Sequence, residues 1–269
     1  MRALVAGVLA LNCATSQRPA LQGDRAIEGE LTLRLDADER PDHVLAVASR
    51  RLAAAGITRA DVTAVTGSLR VRLPHRDLDR ARTLLLATPW LRGRALDVGV
   101  DLGPLAATPP AGVRVEHQPV ELMPGFTVDD LAVFSAREDT LRAHLASFPA
   151  LAAAVTVVRT GAGEWRALAF AREVVLRGDE VTCAPGSTDR AVTLARSDAA
   201  RASRARRWAV ELNGDVVGLS RDLTRAEVVL PSPEAAAALL RDCAHGLLAA
   251  PMTPEVQSPS QGTGSSVAP

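Results

Sequence analysis

Within residues 30–100 the apolar residues change their period repeatedly, and that order restricts the fold more than any other feature of the chain. Leu31, Leu33 and Leu35 alternate with Thr32 and Arg34, a period of two that marks a strand with one buried face. Pro41 then opens a helical stretch in which Val44, Val47, Ala48 and Leu52 recur at three- and four-residue intervals, and Gly56 closes it. Residues 61–66 read as a second strand, Gly67-Ser68 as a tight turn, and residues 69–73 as the hairpin partner, with Leu69, Val71 and Leu73 on one face. Pro74 ends that strand. Residues 76–88 are helical, with Leu78, Ala81, Leu84 and Leu85 inward, and residues 91–100 supply a further strand. The order β-α-β-β-α-β is the ferredoxin-like split βαβ unit, with both helices expected on one face of its sheet.

Pro104, Pro109 and Pro110 mark a break after this unit, where a second domain is expected to begin. Phe126-Thr127 leads into a segment that reads as helix through Phe148: Asp129 and Asp130 suit its first turn, and Leu131, Phe134, Leu141 and Leu145 line one side. Residues 155–158, 166–172, 173–176 and 192–194 read as strands, and 197–206 as a short helix. Asn213-Gly214 between the apolar segments 208–212 and 216–219 is a strong hairpin signal, because both turn residues tolerate positive φ. Residues 227–230 add a strand and 233–248 a final helix. The fold class is therefore α+β: a ferredoxin-like base at 30–103, then an α+β head at 104–251. Residues 252–269, rich in Ser, Gly, Pro and Gln, are expected to be a disordered tail.

A chain of 269 residues can bury a substantial core as one large domain or two moderate ones. Its 31 cations balance its 31 acids, so no global field draws nucleic acid, and no nucleic-acid partner is expected. Every cation is Arg and there is no Lys or Tyr; those absences fit a compositional bias of the coding sequence, so the Arg excess is not itself evidence of phosphate binding.

The beginning of the chain carries information about compartment. Met1-Arg2, an apolar run over residues 3–11, Asn12 and Cys13 have the order of an export signal that is too short to span a bilayer. Cys13 followed by Ala14-Thr15-Ser16-Gln17 resembles a bacterial lipoprotein cleavage site, although Asn12 departs from the small residue expected before the Cys. Lipidation of Cys13 is the reading carried forward, with a plainly cleaved signal and a buried first strand as the alternatives. Residues 1–13 are then signal and lipid attachment, and 14–29 a polar linker. Cys183 and Cys243 remain. An exported chain could join them; alternatively Cys243, on a stripe with Leu239, Leu240 and Leu247, is a buried free thiol.

Signatures of catalysis are missing. His43, His75, His117, His144 and His245 form no metal-binding spacing, and no nucleophile elbow or phosphate-binding loop is present. Gly161-Ala162-Gly163 begins like a dinucleotide loop, but Arg166 stands where a third Gly belongs, and a hairpin turn explains it better. Asp36 with Asp38, and Asp97 with Asp101, sit at expected strand ends beside Arg and read as solvated or ion-paired. Arg201, Arg204, Arg206 and Arg207 read as a charged helix face.

Several of these segments together resemble the first periplasmic domain of SecD and SecDF, membrane subunits that assist bacterial protein export. In the first unit the resemblance rests on Arg50-Arg51-Leu52, Gly56, Val62, Gly67 and Val71 leading into Leu73-Pro74. Further on it rests on Val174-Val175-Leu176, on Gly178-Asp179-Glu180-Val181, and on the hairpin from Trp208 to Val217. It ends on Glu234-Ala235 and Gly246-Leu247-Leu248-Ala249-Ala250-Pro251. His75 departs from a family Gly, residues 113–172 have no clear counterpart, and the apolar spans that follow in the family are not in this sequence, so its proton-driven activity is not expected here. The missing catalytic signatures, the start with Cys13 and the resemblance together lead to the expectation of a non-enzymatic envelope module without cofactor or metal, held to the membrane only by lipid on Cys13, on the periplasmic side. The resemblance implies that it contacts unfolded polypeptide or translocase and other envelope proteins. A small-molecule-binding or structural lipoprotein unrelated to export is the alternative.

Overall fold

The computed structural model describes residues 28–255 apart from 38, 66, 124–125, 198–206 and 223. The signal segment with Cys13, the expected helix at 197–206 and residues 256–269 lie outside the described residues, except Ser197.

The first unit forms where the apolar periods demand it. β1 (Glu28–Arg34) leads to α1 (Pro41–Ala54), β2 (Asp61–Val65), β3 (Ser68–Pro74) and, after a single 3-10 turn, α2 (Leu78–Leu86). Pro41 sits in the first turn of α1 and Asp42 beside it, while Val44, Val47, Ala48 and Leu52 are all buried. Gly56 ends the helix at φ +77°, a conformation costly for any residue with a Cβ. The sheet order is β14-β1-β3-β2, with antiparallel pairs throughout. The edge place that the sixth element of a ferredoxin-like unit would occupy belongs to β14 (Thr253–Pro254), at the far end of the described chain.

β4 (Leu91–Leu96) does not join this sheet. It pairs with β11 and β8 in a second sheet, which corrects the expected strand at 91–100 in both length and placement. The cores separate at the same point. Trp90 and Leu248 pack with the base residues Leu33, Val47, Val71 and Met252, whereas Leu91 and Leu247 pack with the head around Trp208 and Leu239. The base is thus residues 28–90 with 248–255, and the head is inserted into it as residues 91–247. Met252, 5% exposed, and β14 remove the first residues of the expected tail from that category.

In the head, α3 (Gly103–Ala107) is followed by the long hairpin of β5 (Val113–Met123) and β6 (Phe126–Ser135), then α4 (Glu138–Ala146) and α5 (Pro149–Ala152). The helix expected after Phe126-Thr127 is therefore wrong as far as Ser135: Val113 to Glu121 pair in register with Ser135 to Thr127, and after a bulge Met123 pairs with Phe126. Helix begins only at Glu138, after Ser135 Oγ has accepted the Arg137 N–H at 3.1 Å.

Next come β7 (Val155–Arg159) and β8 (Trp165–Arg177), a single strand where two were expected, then β9 (Val181–Pro185) and β10 (Ala191–Arg196). β11 (Trp208–Leu212) and β12 (Asp215–Ser220) flank a two-residue turn in which Asn213 and Gly214 both have positive φ, 53° and 94°. β13 (Arg225–Val229) and α6 (Pro233–His245) complete the head; Ser232 caps α6 by accepting the Ala235 N–H at 3.2 Å. β13-β10-β9 is a small sheet, and the larger one runs β12-β11-β4-β8-β6-β5 with β7 also on β8. Trp208, fully buried between them, sits where a Cβ on Gly93 would lie 2.6 Å from its ring, so Gly is required there.

Base and head meet at a dense junction. The Leu91 N–H donates to the Leu248 carbonyl at 2.8 Å and the Leu248 N–H to that of Pro89 at 3.2 Å. Around this crossing, His43 Nε2 lies 2.7 Å from the Leu247 carbonyl, and Arg51 pairs with Asp242 at 3.1 Å. Glu39 is buried and accepts the Ala250 N–H at 2.6 Å, with Arg177 and the buried Asp179 nearby. Burial raises the Glu39 pKa above its ordinary 4.5, outweighing backbone hydrogen bonds and the Arg177 charge, which lower it.

The folded state therefore holds this proton more tightly than the unfolded chain does. Its contribution is complete below pH 4.5 and is lost as the pH climbs above that value. Urea denaturation across pH 4 to 8 should show Glu39→Gln losing less stability over the upper part of that range than the parent does. Identical slopes in the two proteins would refute the assignment.

Candidate functional site

Five strands of the larger sheet curl around one small core. Val158 of β7, Leu168 and Phe170 of β8, Leu96 of β4, Ala209 of β11, and Val216 and Leu219 of β12 all contribute to it. Each neighbouring pair in the series β12-β11-β4-β8-β7 is antiparallel. Four reversals leave β12 and β7 pointing the same way, and Thr160 meets Val216 in a lone parallel bridge. The Gly161 N–H donates to the Val216 carbonyl there at 2.9 Å. Beyond it, among the described residues, the outer edge of β12 has no ladder partner and a seam remains, with β13 packed close by: a Cβ on Gly218 would lie 3.2 Å from the Glu227 carbonyl oxygen.

The Gly161-Ala162-Gly163 segment makes this seam. It is the β7–β8 turn, closed by Thr160 N–H to Glu164 carbonyl at 2.7 Å and by Gly163 N–H to Thr160 carbonyl at 2.8 Å, with Gly163 at φ +86°. Gly161 lies close enough to Val217 and the Val229 carbonyl that a Cβ would stand 3.5 Å from each.

Two clefts flank the bridge. One, of about 560 Å³, has Phe134, Val217, Leu219, Leu230 and Pro231 as apolar lining and Glu164, Arg166 and Arg190 as its charged groups. The other, of about 450 Å³, runs toward the junction past Pro89, Asn213, Ala235 and Asp242. Both volumes are typical of ligand sites. Glu164 is held by both oxygens to Arg114 at 2.9 and 3.1 Å, and the Phe134 ring has Arg114 and Arg166 guanidiniums 5.2 and 5.0 Å from its centre.

The turn carrying Arg190 is pinned. Ser187 donates its N–H at 3.0 Å and its hydroxyl at 2.6 Å to Glu227, which holds that carboxyl below its usual range; the Leu230 N–H donates to the Arg190 carbonyl at 2.9 Å.

Cys183 on β9 and Cys243 on α6 are joined, with Cα atoms 6.1 Å apart. They lie against the head core rather than in either cleft. Among the described residues, the others singled out from sequence do not converge on a site. Asp97 and Asp101 accept the N–H groups of Gly99 and Gly103 at 3.0 and 2.8 Å, as turn formers do. His43 and His144 bond backbone carbonyls, and His75 and His117 are exposed. Among the described residues no group of His, Cys, Asp and Glu could hold a metal ion, and no helix is long and apolar enough to cross a membrane. The buried Glu211 of β11 is paired across the ladder with Arg92 and lies 3.4 Å from Arg94, an arrangement that ties β11 to β4. Val217, Leu230 and Arg190 carried no motif; the seam is created by long-range pairing.

No protein-family model matches the chain, and no curated protein does. Among solved structures it is similar to a chain of SecDF, described as a membrane component that enhances protein export. The likeness has 16% identity and a TM-score of 0.42, and covers 86% of this chain and all of that one.

The Cys183–Cys243 link closes a loop with a sequence separation of 60, for which chain entropy gives roughly 4 kcal/mol of stabilisation. Replacing both by Ser should lower unfolding stability by about 2–4 kcal/mol in denaturant titration. A loss below about 0.5 kcal/mol would show that α6 is held in place without the link.

Proposed function

We propose that this protein is a non-enzymatic binding module of the cell envelope that takes up extended polypeptide by adding it as a strand along β12. The observation that carries the reading is the seam: an edge strand whose pairing stops after one bridge, opening directly into an apolar cleft of about 560 Å³. Strand addition recognises backbone shared by all unfolded chains, while the cleft supplies apolar contact to alternate side chains. The sequence resemblance to the SecD periplasmic domain and the signal-like start with Cys13 support placement on the outer side of a bacterial inner membrane, as a lipid-anchored accessory of export. The 450 Å³ cleft supports a second reading, a small-molecule-binding lipoprotein.

Val217 lines both clefts, is partly exposed and packs against the edge of the head core, so Val217→Glu places a charge at the seam, and an unchanged denaturation midpoint is the control that the head stays folded. Fluorescence anisotropy with a labelled, reduced and carboxymethylated polypeptide should show saturable binding to the parent, weakened about tenfold or more by the variant, a loss of roughly 1.4 kcal/mol. No binding to the parent, or equal binding to both, would sink the polypeptide reading; uptake of an apolar dye under those conditions would favour the second. For the anchor, mass spectrometry of protein recovered from envelopes should find acyl chains on Cys13, and Cys13→Ala should release the protein from membranes. An unmodified Cys13 would overturn that part.

A further inference from the structure

We propose that the smaller cleft is a separate binding site for a free α-amino acid with an apolar side chain, in which Asp215 receives the ammonium group and Arg159 the carboxylate. This specifies the small-molecule reading of that cleft and does not depend on strand addition along β12.

Placement and charge carry the argument. The bridge between Thr160 and Val216 is parallel, so Arg159 and Asp215, one residue earlier on each strand, hold neighbouring positions, and both line the 450 Å³ cleft. Among the described residues, neither side chain has a hydrogen bond or an ion pair, with the other or with any third group. The remaining charged group of the cleft, Asp242, is matched by Arg51 at 3.1 Å. The cleft is thus balanced in charge but polarised, with one cation and one anion left to a ligand. A lone carboxylate at Arg159 would face Asp215, and a lone amine at Asp215 would face Arg159. A zwitterion satisfies both, and its two charges, borne on one carbon, suit groups carried on strands about 5 Å apart.

Both groups stand on fixed backbone. Arg159 is the last residue of β7 and pairs with Trp165. Asp215 follows the Asn213-Gly214 turn, which is clamped to the junction: the Asn213 N–H donates to the Trp90 carbonyl at 3.0 Å, and Asn213 Oδ1 accepts the Trp90 N–H at 3.0 Å. Part of the lining comes from α6, through Ala235, Ala238 and Leu239, and that helix is held by the Ser232 cap and the Cys183–Cys243 link. A site built this way has little left to order when a ligand enters. Leu212, Val217, Leu230 and Pro231 give an aliphatic side chain its apolar surface.

Equilibrium dialysis of the full chain with radiolabelled leucine tests the assignment. The parent should bind leucine saturably at one site. Competition by 4-methylpentanoate, which lacks the ammonium group, and by 3-methylbutylamine, which lacks the carboxylate, should each be at least about tenfold weaker than by unlabelled leucine. Arg159→Gln and Asp215→Asn should each weaken leucine about tenfold with unchanged denaturation midpoints, while Arg159→Gln binds carboxymethylated polypeptide as the parent does. No saturable leucine binding by the parent would overturn the site whatever the polypeptide result. So would an analogue of single charge that competes as well as leucine, or parent-like leucine binding by both variants. Leucine binding with these preferences by a protein that takes up no polypeptide would support the site and sink strand addition alone.

Discussion

The crossing between Trp90–Leu91 and Leu247–Leu248 is the constraint on which both units depend. The chain leaves the base and returns to it at one place, and the two passing segments bond to each other through the Leu91–Leu248 and Leu248–Pro89 pairs. Backbone groups buried at a domain boundary need partners, and here each segment serves the other. The close fit leaves no room for change: a Cβ on Gly178 would stand 2.2 Å from the Leu248 carbonyl oxygen, and one on Gly246 would stand 2.7 Å from Val47. The buried Glu39 and Asp179 lie against the same crossing, as does Arg177. Their charges are tolerable only because Arg and backbone N–H groups face them.

Insertion at this point explains how the first sheet keeps four strands although β4 lies in the other sheet. β14 pairs with β1 at the edge vacated by β4, and Met252 fills core beside Leu248. β4 is then free to stand between β11 and β8, where its Gly93 admits Trp208. The parity of the resulting series has a further effect. Four successive antiparallel pairings bring β12 and β7 together in parallel, and their contact shrinks to one bridge. Parallel pairing is slightly weaker per residue, and here the β7–β8 turn reaches β12 before any ladder can extend. The seam thus follows from strand number together with the β7–β8 turn at Gly161-Ala162-Gly163, which ends β7 there.

This is why the fold was largely readable from sequence and the candidate site was not. Local patterns specified α1, the β2–β3 and β11–β12 hairpins and the capped start of α6, because helix periodicity and turn chemistry are properties of neighbouring residues. Where pairing is non-local, the same signals mislead. Leu131 and Phe134 fall at helical spacing and Asp129-Asp130 resemble a first turn, yet the partner strand at 113–123 captures the segment into β6. Thr253–Pro254 has no periodicity at all and becomes a strand because β1 presents an edge. Val217 and Leu219 read as ordinary hairpin residues; only the arrival of Thr160–Gly161 from the other end of the strand series makes their edge a seam.

Charge shows the same dependence on context. In a chain with 31 Arg and no Lys, an Arg at position 190 or 166 is no signal in itself. Position decides the matter. Arg92 and Arg94 face the buried Glu211, and Arg51 faces Asp242, so their charges are spent within the fold. Arg114 likewise pairs with Glu164 at the rim of the larger cleft. An ion pair so exposed contributes little to stability, because both partners remain largely in contact with water.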